Sequence, residues 1–495
     1  MMQVKVSDSA YAEGGHTLLQ KLTKVLGPGG ILTGDEISHT FTQDWAKDRI
    51  GRCMAVIRPA SAQEVSQVCK LCAEVGVGIV PQGGHTGLVA GAQHDDAHCI
   101  ILTTQRMNRI HDVDTDNLSC TVEAGVVLET LQEALKEQGQ QFGVAIGSQG
   151  SAQIGGLIST NAGGVRVLRH GMMAAHVMGL ELVLANGSIV SSISGLHKDN
   201  RGPDPLRLAI GGEGAFGIIT KACLRISPQW QSAATAYVGS ASFRDALALL
   251  RHLRGTAHEV LSAFEAMSAN CLPLAKRVDP TLVPPLDAPV QVLVQLGSAL
   301  DLPLDSILEN TLSAAIEQGI AADAVVAKSD RQVQRLWALR EGLVEGHSRR
   351  GYHVRSDVSL RLGQLPDAVS ALETMLEVEF PAWIAQSYGH LGDGNLHFNA
   401  LPPETMVETQ AREIGKQIEQ RIFDIVLERG GSFSAEHGIG RTKAGWFHET
   451  MPARYNLLSR IKGAFDPDAI MNPGCMLVQK DAQPIKNLSK MFPVS

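Results

Sequence analysis

Residues 147–164 read Gly147-Ser-Gln-Gly-Ser-Ala-Gln-Ile-Gly-Gly156, then Leu-Ile-Ser-Thr160, then Asn161-Ala-Gly-Gly164. They lie inside a longer stretch, Gln138 to Val165, that carries no charge and holds eight glycines and five glutamines. A membrane-spanning helix needs roughly 20 mostly apolar residues, and this composition does not supply them. Glycine is used where backbone must come close to something or take positive φ. Small residues with free backbone N–H groups can converge on an anion beside a flat neutral ring. The run reads as a ligand loop.

Working upstream, residues 54–58 (Met-Ala-Val-Ile-Arg) suit a short strand, 62–75 a helix and 77–80 a second strand. The next piece, Pro81-Gln-Gly-Gly-His-Thr-Gly87, is a turn whose N–H groups would form a second anion cradle. Strands are expected at 99–103 and 119–123, with a helix over 128–138. Downstream, 178–185 suits a strand that the Asn186-Gly187 turn leads into another. Cys69 and Cys72 form a C-x-x-C within the helical pattern of Val65, Val68, Leu71 and Val75, with no second ligand pair nearby, so core packing explains them. Gly-Glu-Gly-Ala-Phe-Gly (212–217) matches the dinucleotide fingerprint in form. That motif must open a helix and have an acid about 20 residues on. Here 218–226 alternates like a strand and the twentieth residue past Gly217 is Tyr237, so a Rossmann site is rejected.

The first 228 residues thus form an α+β domain. Beyond Tyr237 longer helical stretches (242–253, 303–318, 330–347, 365–378, 405–429) separate a few strands such as 290–296, with Pro-rich connections at 279–289. Residues 229–430 read as a second domain and 431–495 as a C-terminal segment. A chain of 495 residues exceeds a single core. With 43 Lys and Arg against 51 Asp and Glu, and 4% aromatics, it lacks the basic face and stacking platforms of a nucleic-acid binder. Eight scattered cysteines, and a first twenty residues without an apolar core, point to free thiols in the cytoplasm. No transmembrane segment is expected.

A second cluster is Gly389-His-Leu-Gly-Asp-Gly-Asn-Leu-His-Phe-Asn399. Its three glycines exclude a helix. From Asn395 the pattern alternates, with Asn395, His397 and Asn399 on one face and Leu396 and Phe398 on the other. His390 would return to the polar face through the Gly392–Gly394 turn. Glu436-His437-Gly438 ends another strand-like stretch that follows Gly430 and Gly431. Two imidazoles and a carboxylate suit Zn²⁺, Mn²⁺ or Fe²⁺ and leave positions open for a bidentate ligand. His390, His397, Glu436 and His437 together read as a functional cluster.

Val80–Leu88, the 147–164 run, Arg169-His-Gly171 and Ile210–Thr220 resemble the FAD-binding domain of the vanillyl-alcohol-oxidase-type (PCMH-type) flavoproteins. Gly389–Asn399, Ser434–Gly440 and Trp337-Ala-Leu-Arg-Glu-Gly-Leu343 narrow the likeness to the branch of D-2-hydroxyglutarate and D-lactate dehydrogenases, from about Asp44 to Pro473. The resemblance implies an α+β architecture. It comprises a two-subdomain PCMH-type FAD-binding domain, an α+β substrate (cap) domain, and a C-terminal helical segment that returns to the flavin domain and completes the active site. It implies that Pro81, Gln82, Gly83, Gly84, His85, Thr86, Gly87 and Leu88 cradle the FAD pyrophosphate. Gly147, Ser148, Gly150, Ser151, Gly155, Gly156, Thr160, Asn161, Gly163 and Gly164 would line pyrophosphate and isoalloxazine. Glu213, Gly214, Gly217 and Ile219 would close the adenine-ribose side, with Asn472 completing the cofactor site.

The same resemblance makes His390, His397 and Glu436 the ligands of a divalent metal, zinc foremost. It makes Asn399 and His437 substrate contacts, with His437 the general base, and gives Arg340 the grip on the substrate's distal carboxylate. Arg355 stands where D-2-hydroxyglutarate dehydrogenases usually carry lysine, and Val344 replaces their threonine. His85 stands where those relatives carry asparagine; in other branches a histidine here is the covalent attachment point of the flavin. Cys475 stands where lysine is frequent. The implied reaction is metal-assisted oxidation of a D-2-hydroxy acid to the 2-oxo acid, with hydride transfer to flavin N5. Arg340 and Arg355 favour a dicarboxylate such as D-2-hydroxyglutarate or D-malate. An electron-transfer flavoprotein or a quinone would reoxidise the flavin, and a homodimer is compatible with the branch. A D-lactate dehydrogenase, an O₂-using oxidase, a non-redox transferase of the alkylglycerone-phosphate synthase type and a non-catalytic flavin binder are the alternatives.

Overall fold

In the computed structural model, residues 8–45 and 49–477 are described. Residues 1–7, part of the opening stretch read above, and 478–495 of the C-terminal segment lie outside them. The helix Ala62–Val75 starts where Ser61 accepts the Glu64 N–H at 3.2 Å and stops at Gly76, which takes φ +69°. Cys69 and Cys72 are fully buried on its inner face. The strand after it is Ile79–Gln82, shifted two residues beyond the expected 77–80, so Pro81 and Gln82 pair with Leu102 and Thr103 instead of opening the turn. Pro81 is tolerated because this is an edge strand, where a missing N–H leaves no ladder bond unmade. Ile79–Gln82, Ile100–Thr103 and Ala55–Ile57 run parallel, and Ile31–Leu32 edges the four-stranded sheet.

A second, antiparallel sheet orders Ile110–Asp114, Ser119–Glu123, Ile218–Arg225, Val177–Val183 and Ile189–Ser191. Its central strand Ile218–Arg225 follows directly on the 212–217 motif, so no helix N-terminus stands there, as expected. The 147–164 run is not all loop: Ile154–Thr160 makes a short helix, closed by Asn161 at φ +50°. These two sheets fit the two subdomains that the resemblance implies for a flavin domain, and the glycine motifs that follow or precede their strands contact one another.

The cap is built on an eight-stranded sheet. Its order is Asp323–Val326, Ser232–Ser240, Val290–Ser298, Leu261–Ser268, Ile384–Gly389, Asn395–Leu401 and Val354–Arg355, with Val358–Ser359 pairing Asn395–Leu401 off that path. Helices including Phe243–Ala257, Leu304–Glu317, Leu365–Glu379 and Glu408–Glu428 bury their apolar faces in one core with this sheet. The strand Leu261–Ser268 is buried at all eight positions and so shows no alternation in sequence. After the helices Ala444–Thr450 and Pro452–Phe465 the chain returns to the flavin domain, where Met471 bridges Ile79 in parallel. Among the described residues no helix is long and apolar enough to cross a membrane.

Candidate active site

Three glycine motifs distant in sequence meet backbone to backbone. A Cβ on Gly84 would stand 1.9 Å from the Ser151 carbonyl oxygen, one on Gly83 3.4 Å from Gly156, and one on Gly214 2.8 Å from the Pro81 ring. Gly87 and Gly147 have nothing within 4 Å, so the joint surface is open on that side. A cradle of close-packed backbone with an open mouth fits an extended phosphate-bearing cofactor. Not every expected residue faces that mouth. Gly155 packs under it, its N–H on the Ala124 carbonyl at 2.7 Å, and Gly217 abuts the Val183 carbonyl. Ile219 is buried in its strand. Gln82 donates its amide to the Phe41 and Ala92 carbonyls, both at 2.9 Å. Thr160 bonds back to the Gly156 carbonyl at 3.1 Å, and Ser151 to that of Ser148 at 3.4 Å. Gly150 lies against Glu129, while Thr86 and Leu88 are half-buried.

The far end of the same run touches the second cluster directly. The Gly164 N–H donates to Glu436 Oε1 at 2.9 Å, and a Cβ on Gly163 would stand 2.9 Å from that oxygen. His390, His397 and Glu436 bring one ligand atom each within 4.8 Å of the others. His390 Nε2 lies 3.6 Å from Glu436 Oε1, and the two imidazoles stand nearly perpendicular with centroids 5.4 Å apart. His390 Nδ1 donates to Glu265 Oε1 at 2.7 Å, which leaves Nε2 facing the other two donors. Burial opposes charge on Glu265, but His390 and Arg340 outweigh it and bring its carboxyl down to about 2. Burial, with the neighbouring His390 charge, lowers His397 to about 3 and keeps that ring neutral. Two imidazoles and a carboxylate, converging and poor in internal bonds, fit a divalent cation of the zinc type. A further trio, His94, Asp96 and Cys99, is equally close. Its imidazole Nδ1 already accepts the Asp96 N–H at 2.9 Å, and the Arg441 charge is beside it, so it suits a cation poorly.

The stretch leading to Glu436 is not a strand. Only Ser432 bridges, to Ser359; the following residues wrap around one carboxylate. Asp357 Oδ2 accepts the N–H groups of Ala435, Glu436 and His437 at 3.1, 2.8 and 2.9 Å. Successive N–H groups of a strand point in opposite directions, so three pointing at one oxygen require this loop. Asp357 Oδ1 accepts the Asn395 amide at 2.9 Å, and the Nδ1 atoms of His397 and His437 stand 3.8 and 3.7 Å from its oxygens. Burial raises its pKa, but His437, Lys443 and His397 outweigh that and keep it ionised.

Around the cation donors lie the residues expected to meet substrate. Arg340 is buried, with Nε on Glu265 Oε2 at 2.8 Å and its guanidinium 4.9 Å above the Tyr388 ring. The Tyr388 hydroxyl accepts from Asn399 Nδ2 at 3.3 Å, and burial pushes its pKa up to about 12. Arg355 pairs with Asn399 across the sheet. Burial lowers its pKa, while Asp44 of the flavin domain supports its charge. Val344, one turn along the helix Asp330–Arg350, is 42% exposed and does not share the burial of Arg340. His437 is half-buried, and its ring stacks 6.0 Å from that of His397. Glu265, Asp357 and Tyr388 escaped the sequence reading; Glu265 is a lone charge in an apolar strand, and Asp357 and Tyr388 stand among ordinary polar neighbours.

Two residues assigned to the cofactor spend their polar atoms elsewhere. Glu213 takes the N–H groups of Ile439 and Gly440, both at 2.7 Å, and the Cys475 thiol at 3.4 Å. Asn472 donates to the carbonyls of Glu213 (2.6 Å) and Gly91 (2.9 Å) and accepts from Arg441. Together they tie the Ser434–Gly440 loop to the flavin domain. His85 sits at φ +55°. Its Nδ1 donates to the Thr40 carbonyl at 3.0 Å, and Nε2 is buried without a partner.

Comparison with known proteins bears on the family and the fold. The family model described as FAD binding domain matches residues 54–192, and that of the FAD linked oxidases, C-terminal domain, matches residues 229–476. The mitochondrial D-2-hydroxyglutarate dehydrogenase of Rattus norvegicus is 36% identical over 453 residues, covering 90% of this chain and 82% of the relative. The D-2-hydroxyglutarate dehydrogenase of Stutzerimonas stutzeri is 30% identical, covering 92% of this chain and 98% of the relative. A crystal structure of p-cresol methylhydroxylase with substrate bound superposes with TM-score 0.74 over 95% of this chain and 97% of that one; at 16% identity it shares the fold. The chain belongs to the FAD-linked oxidase family, as an FAD-dependent dehydrogenase of its D-2-hydroxyglutarate and D-lactate dehydrogenase branch.

Proposed function

We propose that the protein oxidises a D-2-hydroxy dicarboxylate, D-2-hydroxyglutarate or D-malate, to the 2-oxo acid with the help of a divalent cation held by His390, His397 and Glu436. The observation that carries this reading is the contact of Glu436 with Gly163 and Gly164, which joins the cation donors to the flavin loop through one carboxylate. Bound FAD supplies the hydride acceptor, and a bound cation lowers the pKa of a coordinated hydroxyl. His437 takes the hydroxyl proton on Nε2, because its Nδ1 faces Asp357. The buried Asp357 carboxylate, 3.7 Å from Nδ1, orients the ring for that transfer. Arg340 presents its remaining N–H groups to the distal carboxylate, with Tyr388 flooring the site beneath the guanidinium. Arg355 and Asn399, paired across the sheet, flank that end. D-lactate would leave the outer N–H groups of the buried Arg340, those not held by Glu265, without an acceptor, at about 1–3 kcal/mol.

The unpartnered Nε2 of His85 supports a covalent flavin link at that atom; complete release of flavin on acid precipitation would remove it. All eight cysteines are free, which suits a reducing compartment such as the cytoplasm; several relatives are named as mitochondrial. An electron-transfer flavoprotein or a quinone reoxidises the flavin, as the resemblance to the dehydrogenase branch implies. The test is turnover with a redox dye, trapping the 2-oxo acid, before and after removal of metal by a chelator and its restoration with zinc. Loss and recovery of product support the reading. Full rate in stripped protein contradicts it.

A further inference from the structure

Glu265 lies on the strand Leu261–Ser268 and is 1% exposed. Its two oxygens are divided between two partners: Oε1 accepts from His390 Nδ1 at 2.7 Å and Oε2 from Arg340 Nε at 2.8 Å. Both partners are donors, so the position demands two acceptor oxygens on one side chain. A glutamine offers one acceptor and one donor and must break one of the two bonds. The partners come from different elements, His390 from the turn after Ile384–Gly389 and Arg340 from the helix Asp330–Arg350. The sheet fixes the first of these, since Ala266, next to Glu265, pairs with Gly389, next to His390.

On the function proposed above, on which this inference rests, these partners serve opposite ends of the substrate. His390 serves the cation beside the reacting hydroxyl, and Arg340 serves the distal carboxylate. We propose that Glu265 is a positioning residue that makes the cation seat and the carboxylate grip one unit. It holds His390 with Nε2 toward the cation and Arg340 with its outer N–H groups toward the substrate, so one side chain sets the span between the two ends. A mere core ion pair would affect folding alone. A shared strut must affect metal binding and dicarboxylate recognition together.

The test uses FAD-loaded full-length protein. Zinc affinity is read by competition with a chromophoric chelator, without turnover. KM and kcat are then measured at saturating zinc for D-2-hydroxyglutarate and for D-lactate. Glu265→Gln is expected to weaken zinc about 10–100-fold, the usual effect of losing a ligand's outer hydrogen-bond partner. It is also expected to raise KM for D-2-hydroxyglutarate at least tenfold while changing that for D-lactate less than threefold. Glu265→Asp, which keeps both acceptors on a shorter stem, recovers part of both losses. Zinc affinity within twofold of wild type overturns the proposal, and so does a loss confined to zinc or to the dicarboxylate KM. Should the glutamine variant fail to retain FAD, the aspartate variant carries the test: both quantities must shift together, and unchanged values overturn the proposal. Wild-type protein that binds no zinc would instead overturn the proposed function itself, a separate outcome.

Discussion

Replacing Gly84 by alanine places a methyl group where the Ser151 carbonyl already stands. The added Cβ would lie 1.9 Å from that oxygen, 2.7 Å from its carbon and 3.0 Å from Ala152 Cα. Real Cβ contacts stay above 3.0 Å, and all three atoms are backbone, so no side chain can swing aside. One loop must retreat by about an ångström, a shift of the overpacking kind that costs about 1–3 kcal/mol. The protein can relieve the clash only by parting the loops. Parted loops no longer aim their N–H groups at one place, so the cost appears in cofactor binding. On that scale FAD affinity falls roughly 5–150-fold. The assay is FAD binding to apoprotein followed by quenching of flavin fluorescence. Gly255→Ala, within the cap helix Phe243–Ala257 and with nothing within 4 Å, serves as control and should bind FAD like wild type. Gly84→Ala binding FAD within twofold of wild type would refute the claim that these two loops act as one cradle.

His437→Ala should abolish turnover while leaving FAD content at wild-type level; turnover near the wild-type rate would remove His437 as the base. Asp357→Ala frees three N–H groups from a charged acceptor, each such bond being worth about 1.5–3 kcal/mol. Ala435 keeps its second bond, to the Asp357 backbone carbonyl at 3.2 Å, so amide exchange should accelerate at least tenfold at Glu436 and His437, and unchanged protection there would show that the loop is held by something else. Glu213→Leu leaves the Ile439 and Gly440 N–H groups without their acceptor, at about 1–3 kcal/mol each. Chemical denaturation should show a loss of roughly 2–6 kcal/mol, and a loss below about 1 kcal/mol would contradict the clamp.

What was legible in the sequence was local. The Ala62–Val75 helix, the Ser119–Glu123 strand and the strand after Gly217 follow from caps, periodicity and the residues next to them. The glycine motifs, and His390, His397, Glu436 and His437 as a polar cluster, stood out because their residue types are costly to place without a purpose; the choice of the first three as cation donors came from the family resemblance. The strand Leu261–Ser268 was not, since burial on both faces erases the two-residue period, and with it went Glu265. Asp357 gives no signal in Arg355-Ser-Asp-Val-Ser359, because the three N–H groups it gathers lie 78 to 80 residues further on. The strand-like look of the residues before Glu436 misled for the same reason: a distant carboxylate, not a neighbouring strand, dictates that backbone. Arg340 could be read as a candidate grip, but its commitment to Glu265 belongs to tertiary structure alone.

The most direct test of the central claim is an anaerobic titration of the purified, zinc-replete protein, following flavin absorbance as D-2-hydroxyglutarate, D-malate and D-lactate are added in turn. The account predicts that a dicarboxylate bleaches the flavin at roughly 5–150-fold lower concentration than D-lactate does. Bleaching by D-lactate alone would contradict the Arg340 grip, and a flavin that none of the three bleaches would contradict the dehydrogenase site as proposed.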